Sequence, residues 1–234
     1  MTVDGIVVVG TDTGIGKTVV SAGLVAWLAA SGRSVHPLKP VESGTDESGG
    51  EPADASLLAE AAGVPLESAY VFALPEPLAP VVAARRAGVE LSMTPIDERV
   101  ESLRSSAGVL VVEGVGGALV EVVPGVMVAD LAVRWSLPAL VVAGNRLGAL
   151  SHTLMTVEAL LSRGVSIRGV VLNTLAEGSP STSEATNADE LRRTLPSGVA
   201  LLGVVPYVSG GQTRDPAALA AAVGHLAPGI FGLP

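Results

Sequence analysis

Cysteine is absent from this sequence of 234 residues. Its absence excludes a disulfide scaffold, a zinc site with thiolate ligands and catalysis by a cysteine nucleophile, and it is compatible with a reducing compartment. Aromatic residues are also scarce, at 3% of the chain. The core therefore has to be built mainly from valine, leucine, alanine and isoleucine.

Positive charge is the second scarce feature. The chain has 14 lysine and arginine residues against 23 acidic ones, which gives a net charge of −9, and its basic residues form no cluster. Binding to a nucleic-acid backbone draws heavily on clustered lysine and arginine. We therefore expect no nucleic-acid partner.

Long uninterrupted apolar runs are also missing. The mean hydropathy is +0.53, yet no stretch of about 18 residues is free of charge or glycine, as a membrane-spanning helix requires. No basic segment precedes the first apolar run, so we expect no signal peptide. We expect a soluble, cytoplasmic protein without a membrane partner.

Apolar sequence is what the chain has in quantity, at 48% of its residues. This amount supplies a sizeable core, and the length favours one domain over residues 1–234. Short, continuously apolar runs alternate with helical patterns, as in parallel strands that helices cover on both faces. The predicted fold class is α/β, a doubly wound, mostly parallel sheet flanked by helices, with its ligand beyond the carboxyl ends of the strands. The predicted strands are Ile6–Val9, Val35–Leu38, Val109–Val112, Leu140–Ala143, Val170–Leu172 and Leu201–Val205.

The segment Gly10–Thr18 lies between the first predicted strand and a helical segment, Val19–Ala30. A strand, a glycine-rich turn and a helix start direct backbone N–H groups at an anion, while Lys17 adds a point charge and the Thr18 hydroxyl is placed to bind Mg²⁺. The segment departs from G-x-x-x-x-G-K-[ST] because Thr11 stands at the first glycine position. We interpret it as a variant P-loop for a nucleoside triphosphate; an ordinary glycine turn is the alternative.

Three other charged residues are expected at the same edge of the sheet. Lys39 follows the second predicted strand, although a solvated loop lysine fits the spacing equally well. Glu113 follows an apolar run, where a carboxylate lies near bound Mg²⁺ or caps the next turn. Asp54 begins a predicted helix, Asp54–Ala62, and by itself is typical of a helix cap or a first-turn acid.

Two segments rich in small and acidic residues, 42–52 and 177–187, predict loops, and the first is expected to be mobile. The histidines at 36, 152 and 225 lack metal-ligand spacing and indicate structural roles. The chemistry is therefore expected from the glycine-rich, lysine and carboxylate segments.

Four motifs follow one another along the chain: Gly-Thr-Asp-Thr-x-x-Gly-Lys-Thr at 10–18, Lys-Pro-Val-x-Ser-Gly at 39–44, Val-Glu-Gly-x-Gly-Gly at 112–117 and Leu-Gly-x-x-x-His at 147–152. Together they resemble the dethiobiotin synthetase family, in the same order and at similar separations, over almost the whole chain. The second and third motifs in combination make the resemblance much more specific than a P-loop alone. It implies a ligase that joins CO₂ to the vicinal diamine 7,8-diaminopelargonate and closes a ureido ring with hydrolysis of a nucleoside triphosphate, in biotin biosynthesis.

The resemblance also implies which residues form the site. It gives Lys17 and Lys39 the catalytic roles, with Lys17 on the phosphates and Lys39 on the carbamate and the transferring phosphoryl group. The implied nucleotide contacts are Thr13, Gly14, Ile15, Gly16, Lys17, Thr18, Glu113 and Asn173. The implied substrate contacts are Thr13, Lys39, Ser43, Gly148, Ala149 and Ser151. Mg²⁺ is the implied cofactor, held by Thr18, Asp54 and Glu113, and ATP or another nucleoside triphosphate is the co-substrate.

The implied reaction passes through a carbamate and a carbamic-phosphoric anhydride. Negative charge accumulates on both groups, so fixed cations and N–H donors are the expected catalysts. Gly14 stands where many members carry glutamate, and Arg146 stands where some carry lysine. Asn173 matches the base-contacting asparagine of the family, but a turn residue fits equally well. These features leave the base preference open.

A homodimer with shared active sites is a further implication, because the segment 147–151 comes from the partner chain in that family. We expect a helix over Ser151–Arg163 with Ser151 as its N-cap, and free N–H groups there form an anion site for the remote carboxylate of the substrate. A cap that serves only its own chain is the alternative.

Two other classes share the P-loop. A partitioning or regulatory ATPase, which acts as a switch, has a second lysine five residues before the P-loop lysine, where this chain has Asp12. Residues 215–234 also lack the basic amphipathic helix that this class often carries. An amidoligase related to cobyrinate diamide synthesis normally needs a glutaminase domain with a cysteine nucleophile. This chain has no cysteine. The sequence therefore favours a dethiobiotin synthetase, and the switch ATPase is the alternative.

Overall fold

A computed structural model describes residues 5–233 of the chain. Its strands are β1 (Gly5–Gly10), β2 (Val35–Ser43), β3 (Tyr70–Leu74), β4 (Val109–Gly117), β5 (Glu121–Val123), β6 (Val126–Met127), β7 (Ala139–Gly144), β8 (Ile167–Asn173) and β9 (Leu201–Val205). Its helices are α1 (Lys17–Ala30), α2 (Ala53–Ala62), α3 (Pro80–Ala87), α4 (Thr94–Ser105), α5 (Val128–Arg134), α6 (Ala149–Leu161), α7 (Thr182–Thr194), α8 (Pro216–Val223) and α9 (Ala227–Phe231).

Seven of the strands form one parallel sheet in the order β3-β2-β4-β1-β7-β8-β9, and β5 and β6 form a separate antiparallel pair. The chain passes from β1 to β2 on one side of β1 and later adds β7 on the other side. This change of direction opens a crevice at the carboxyl end of β1, where ligands bind in open α/β sheets. The fold class expected from the apolar runs is confirmed.

Helices cover both faces of the sheet and create two separate cores. On one face, α1 packs against α8, and the inward side chains include Leu24 of α1 and Leu219 of α8. On the other face, α4, α5 and α6 cover the sheet through residues such as Ile96, Leu131 and Leu160. Strands β1 and β7 are buried along their whole length, which is why their sequences are apolar throughout and do not alternate.

The six predicted strands are all present, and five of them extend beyond their predicted bounds, β2 and β4 the furthest, by five residues each. Strand β2 continues through Lys39 to Ser43, and β4 continues through Glu113 to Gly117. Lys39 is therefore inside a strand, and the predicted loop 42–52 is wrong at its first two residues. Hydrogen bonding to neighbouring strands, which hydropathy does not report, extends both elements into the polar motifs.

The predicted loop 177–187 is also partly wrong, because α7 begins at Thr182. Ser181 and Glu184 form a reciprocal capping box at its start. The pattern Ser-x-x-Glu that announces such a helix start is present in the sequence. Edge strand β3, whose first four residues are not fully buried, has no counterpart among the predicted strands.

Within residues 5–233, no helix combines the length and the apolar character needed to cross a bilayer.

Candidate active site

The P-loop connects β1 to α1 and wraps the amino terminus of that helix. Gly14 and Gly16 both have a positive φ, of 70° and 81°, which glycine adopts without strain. A Cβ on Gly16 would lie 2.0 Å from Nδ2 of Asn173, so that side chain leaves room only for hydrogen there. A Cβ on Gly14 would meet no atom within 4 Å, and the loop is open at that position.

Lys17 folds back across the loop from the first residue of α1. Its Nζ donates to the backbone oxygen of Asp12 at 2.9 Å, and a Cβ on Gly10 would come within 2.8 Å of the same Nζ. The early glycine of this variant P-loop thus makes space for the lysine. Burial lowers the pKa of Lys17 from its ordinary value, while Glu113 acts in the opposite direction.

Lys39 lies beside Glu113 because of the strand register. Strand β2 pairs with β4 through Leu38 and Val112, and its pairing with β4 ends there. The next residue on each strand is Lys39 or Glu113, and Lys39 Nζ lies 2.6 Å from Oε1 of Glu113. Both residues are buried, at 2% and 0% exposed. Lys39 on β2 thus forms an ion pair with Glu113 on β4, which lies 74 residues further along the sequence.

Asp54 joins this pair from the first turn of α2. Its Oδ2 lies 2.7 Å from Lys39 Nζ, and 40% of its side chain is exposed. Burial alone would lower the pKa of Lys39, but Glu113 and Asp54 raise it above its ordinary value. Burial would likewise raise the pKa of Asp54, but Lys39 holds it below its ordinary value. The lysine is a cation and Asp54 an anion at neutral pH.

An open cavity of about 620 Å³ lies over these groups at the carboxyl edge of the sheet. The predicted site residues that line it are Thr13, Gly14, Lys17, Thr18, Lys39, Ser43 and Asp54. Sequence reasoning missed other lining residues, among them Glu42 on β2 and the turn Pro77–Pro80 at the start of α3. Nothing in the apolar pattern marks that turn, which the fold brings to the cavity. The chain contains only two lysines, and both line this one cavity.

Thr18 and Asp54 line the cavity, whereas Glu113 is fully buried and is not among the lining residues; the oxygen atoms of the three suit a hard cation. Thr18 Oγ1 donates to Oε1 of Glu113 at 2.9 Å, while Oε2 of Glu113 is buried without a hydrogen-bond partner among the described residues. Asp54 adds a second carboxylate. No group of three or more histidine, cysteine or acidic residues suited to a metal occurs in residues 5–233, so a cation here would need oxygens from elsewhere. Mg²⁺ typically uses one or two carboxylates with water and substrate phosphates.

Asn173 ends β8 and contacts the P-loop. Its Nδ2 donates to the backbone oxygen of Ile15 at 3.1 Å, and its buried Oδ1 has no partner within residues 5–233. The side chain therefore fixes the loop through its donor and leaves its acceptor free.

Gly148, Ala149 and Ser151 do not line the cavity of their own chain. The prediction that Ser151 caps a helix is wrong, because α6 begins at Ala149 and Gly148, with φ of 92°, is its N-cap. Glycine is also a common N-cap, and here it lets the chain turn sharply after β7. Ser151 is exposed on the first turn of the helix.

The segment that leads into α6 is held by two residues, Asp12 and Asn187, whose contacts the sequence did not predict. Arg146 pairs with Asp12 of the P-loop at 2.7 Å. Asn187 of α7 donates to Oδ1 of Asn145 at 2.9 Å and to the backbone oxygen of Arg146 at 3.0 Å. The P-loop, this segment and α7 are thus connected side by side.

Comparison with known proteins identifies the family. A family model described as an AAA domain matches residues 4–212. ATP-dependent dethiobiotin synthetase BioD of Anaeromyxobacter dehalogenans strain 2CP-C is 44% identical over 192 residues, which cover 81% of this chain and 84% of that protein. The BioD protein of Aromatoleum aromaticum is 40% identical over 218 residues, covering 92% and 94%. The chain belongs to the dethiobiotin synthetase family.

This membership makes the chain an ATP-dependent ligase of biotin biosynthesis, and it confirms the reaction class that the four motifs imply. Solved structures of similar fold include a chain of the MinC:MinD cell division protein complex of Aquifex aeolicus, with a TM-score of 0.60, 16% identity and coverage of 98% and 96%. MinD of Pyrococcus furiosus has a TM-score of 0.55, 19% identity and coverage of 99% and 100%. At these identities the likeness concerns the fold alone, and it does not favour a switch ATPase over a dethiobiotin synthetase.

Proposed function

We propose that the chain, working as one domain, makes dethiobiotin from 7,8-diaminopelargonate, CO₂ or bicarbonate and ATP in the cavity over Lys17 and Lys39. The observation that carries this proposal is the convergence of both lysines and the amino terminus of α1 on one cavity. These groups are fixed before substrate enters, so they stabilise developing negative charge without reorganisation. ATP is supplied in the cytoplasm, and we place the reaction there.

In the first step, one amine of the substrate attacks CO₂ and becomes a carbamate. A carbamate oxygen then attacks the γ-phosphorus, and the bond from that phosphorus to the β–γ bridging oxygen breaks to release ADP. The second amine attacks the carbonyl carbon of this mixed anhydride and forms a C–N bond. The bond between that carbon and the phosphate oxygen breaks, and phosphate leaves with the electron pair. Ring closure is intramolecular, so holding the diamine supplies much of the rate.

Each polar residue has a definite task in this scheme. Lys17 contacts the phosphates, Lys39 contacts the carbamate and the transferring phosphoryl group, and Thr13 and Ser43 hydrogen-bond near the reacting amines. Asn173 offers its free Oδ1 to the base. We assign Mg²⁺ to Thr18, Glu113 and Asp54; when bound, it would neutralise charge on the β- and γ-phosphates.

Phosphate release tests the reaction. We expect release from ATP only when the diamine and bicarbonate are present together, with one dethiobiotin formed per phosphate. Release from ATP alone at the same rate, or release that needs a protein or a membrane instead of the diamine, would favour the switch ATPase.

We also propose a homodimer in which Gly148, Ala149 and Ser151 of one subunit bind the remote carboxylate of the substrate in the other. Two surface features support it. Leu147, next to these residues, is 85% exposed. A groove of about 420 Å³ lies between α6 and the turn after β4, and Leu119 and Met155 in its lining are each 56% exposed. A two-fold dimer would cover such apolar surface and produce two equivalent sites.

Mixing of two inactive variants tests the shared site. Lys39→Ala chains combined with Gly148→Trp chains would form heterodimers that have one intact site, so activity returns. The same mixture of Lys39→Ala with Lys17→Ala, which alter the same half of the site, is the control and stays inactive. If heterodimers form in the first mixture and no activity returns, each site belongs to one chain.

A further inference from the structure

Glu42 connects the sheet to the amino terminus of a helix. It lies on β2 and is 7% exposed. One of its carboxylate oxygens accepts the backbone N–H of Asp54 at 2.8 Å, and the other accepts the backbone N–H of Ala55 at 2.9 Å. Both carboxylate oxygens of the buried Glu42 thus accept hydrogen bonds from the first turn of α2.

Helix α2 depends on this contact for its cap. Its N-cap residue is Pro52, which makes no side-chain hydrogen bond to the first turn. The first N–H groups of a helix need acceptors, and an anion near them also interacts favourably with the helix dipole. Glu42 meets both needs from a position ten residues before the N-cap, on a different element.

The capped residue is one of the site residues. The backbone of Asp54 is held by Glu42, and its carboxylate is held by Lys39 at 2.7 Å. Both anchors belong to β2, three residues apart. Strand β2 therefore fixes the position and the direction of a carboxylate that belongs to α2, relative to the lysine and to Glu113.

We propose that Glu42 is a positioning residue that sets Asp54 against Lys39 and, on the assignment of Mg²⁺ in the proposed function, prepares Asp54 as a metal ligand. Position 42 is the unspecified one in the motif Lys-Pro-Val-x-Ser-Gly, so the motif gives it no role. Placing a second buried carboxylate next to Asp54 is unfavourable by charge repulsion. A serine or an aspartate at position 52 would satisfy the same N–H groups from the N-cap itself, without the second carboxylate. Glu42 supplies in addition a connection from the helix to the strand that carries Lys39.

A metal-free measurement tests the positioning itself. Because the chain has two lysines, ¹⁵N-lysine labelling yields two side-chain ammonium signals, which a Lys39→Arg variant assigns. We expect the Lys39 signal to shift and its protons to exchange faster with water in Glu42→Gln, since the amide accepts only one of the two N–H bonds and Asp54 loses its fixed position. Asp215→Asn is the matched control, because Asp215 caps α8 through the N–H of Ala217 at 3.0 Å; the Lys39 signal stays unchanged there.

Metal binding is the second measurement, with Mn²⁺ and a non-hydrolysable ATP analogue as the probe, followed by electron paramagnetic resonance. We expect Glu42→Gln to weaken Mn²⁺ binding about tenfold, as loss of residues that orient metal ligands typically does. Asp54→Asn weakens it at least as much, and Asp215→Asn leaves it unchanged. If Asp54→Asn itself leaves Mn²⁺ binding unchanged, the metal assignment of the proposed function is wrong, and the Lys39 signal alone decides the role of Glu42.

A double variant separates positioning from helix stability. Pro52→Asp with Glu42→Ala gives α2 a local cap without the connection to β2. We expect its melting temperature to recover relative to Glu42→Ala, while the Lys39 signal and Mn²⁺ binding stay altered. The proposal is overturned if the Lys39 signal and Mn²⁺ binding of the double variant recover together with its melting temperature. It is also overturned if the Lys39 signal is unchanged in Glu42→Gln.

Discussion

Two groups of buried polar side chains flank the P-loop, and they differ in charge. Between β2 and β4, the group consists of ions, with Lys39 in contact with Glu113 and Asp54. Beyond β7, it consists of amides, with Asn187 bonded to Asn145 and Asn173 bonded to the P-loop. One sheet edge thus carries two different polar environments within a few strands of each other.

The difference indicates what each group is for. Taking ions out of water costs several kcal/mol per charge, and a buried ion pair is often no more stabilising than apolar residues of the same volume. A fold alone would not require Lys39 and Glu113. Buried amides satisfy backbone groups at much lower cost. We therefore interpret the charged group as the chemical one, and the amide group as the one that holds the P-loop and the segment before α6 in place.

The largest effect should come from the charged group. We expect Lys17→Ala and Lys39→Ala each to reduce turnover at least about a hundredfold, because each removes a donor to the transferring charge. Formation of dethiobiotin from the diamine, bicarbonate and ATP is the measurement, made on folded protein. Near-normal turnover in Lys39→Ala would make this lysine a structural residue.

Stability separates the two functions of Lys39. Its loss leaves Glu113 buried without its partner, which costs about 3–5 kcal/mol. We expect Lys39→Ala with Glu113→Gln to regain much of that stability in urea unfolding and none of the turnover. If the double variant is as unstable as Lys39→Ala alone, the unpaired charge of Glu113 is not the cause of the lost stability.

The amide group should affect stability more than chemistry. Asn187→Ala removes the donor to Asn145 and to the backbone of Arg146, and an unpaired buried acceptor costs about 1–3 kcal/mol. We expect urea unfolding to show this loss, with a smaller loss of turnover than in the lysine variants. Thr186→Ala, at the exposed neighbouring position, is the control and should stay within about 0.5 kcal/mol of the original chain. A loss of turnover as large as that of Lys39→Ala would place the amides in the chemistry.

The smallest effect should be the change with pH in the contribution of Asp54 to the free energy of unfolding. Its pKa is lower in the folded protein than the ordinary value of 3.8. It therefore stabilises the fold fully above that value, and the contribution is lost as the pH falls through the lower, folded pKa. We expect the difference in unfolding free energy between the original chain and Asp54→Asn to shrink as the pH falls from about 6 to about 3. Because the side chain is 40% exposed, solvent weakens the effect, and a difference that is constant with pH would mean that the contact with Lys39 does not stabilise the fold.

The sequence by itself determined the fold class and the position of the P-loop. Strands that helices cover on both faces are rich in continuous apolar runs, and the P-loop is a glycine-rich turn between a strand and a helix. Both features are local patterns in the sequence. Lys39 and Glu113 stand out as charged residues at the ends of apolar runs, Lys17 and Thr18 as the last residues of the glycine-rich segment, and Asp54 as an acid at the start of a predicted helix. The capping box of Ser181 and Glu184 is equally local, because Ser-x-x-Glu stands in the sequence at the start of α7.

Only the tertiary structure decided how these residues meet. Lys39 lies against Glu113 because β2 and β4 pair in one register, and no local pattern specifies which strands pair. Glu42 was assigned to a loop, although both of its oxygens cap a helix whose own N-cap is a proline. Ser151 was expected to cap α6, although the turn after β7 starts that helix at Ala149. Contacts between residues distant in the sequence depend on strand order and register, and these follow from the packing of the whole chain.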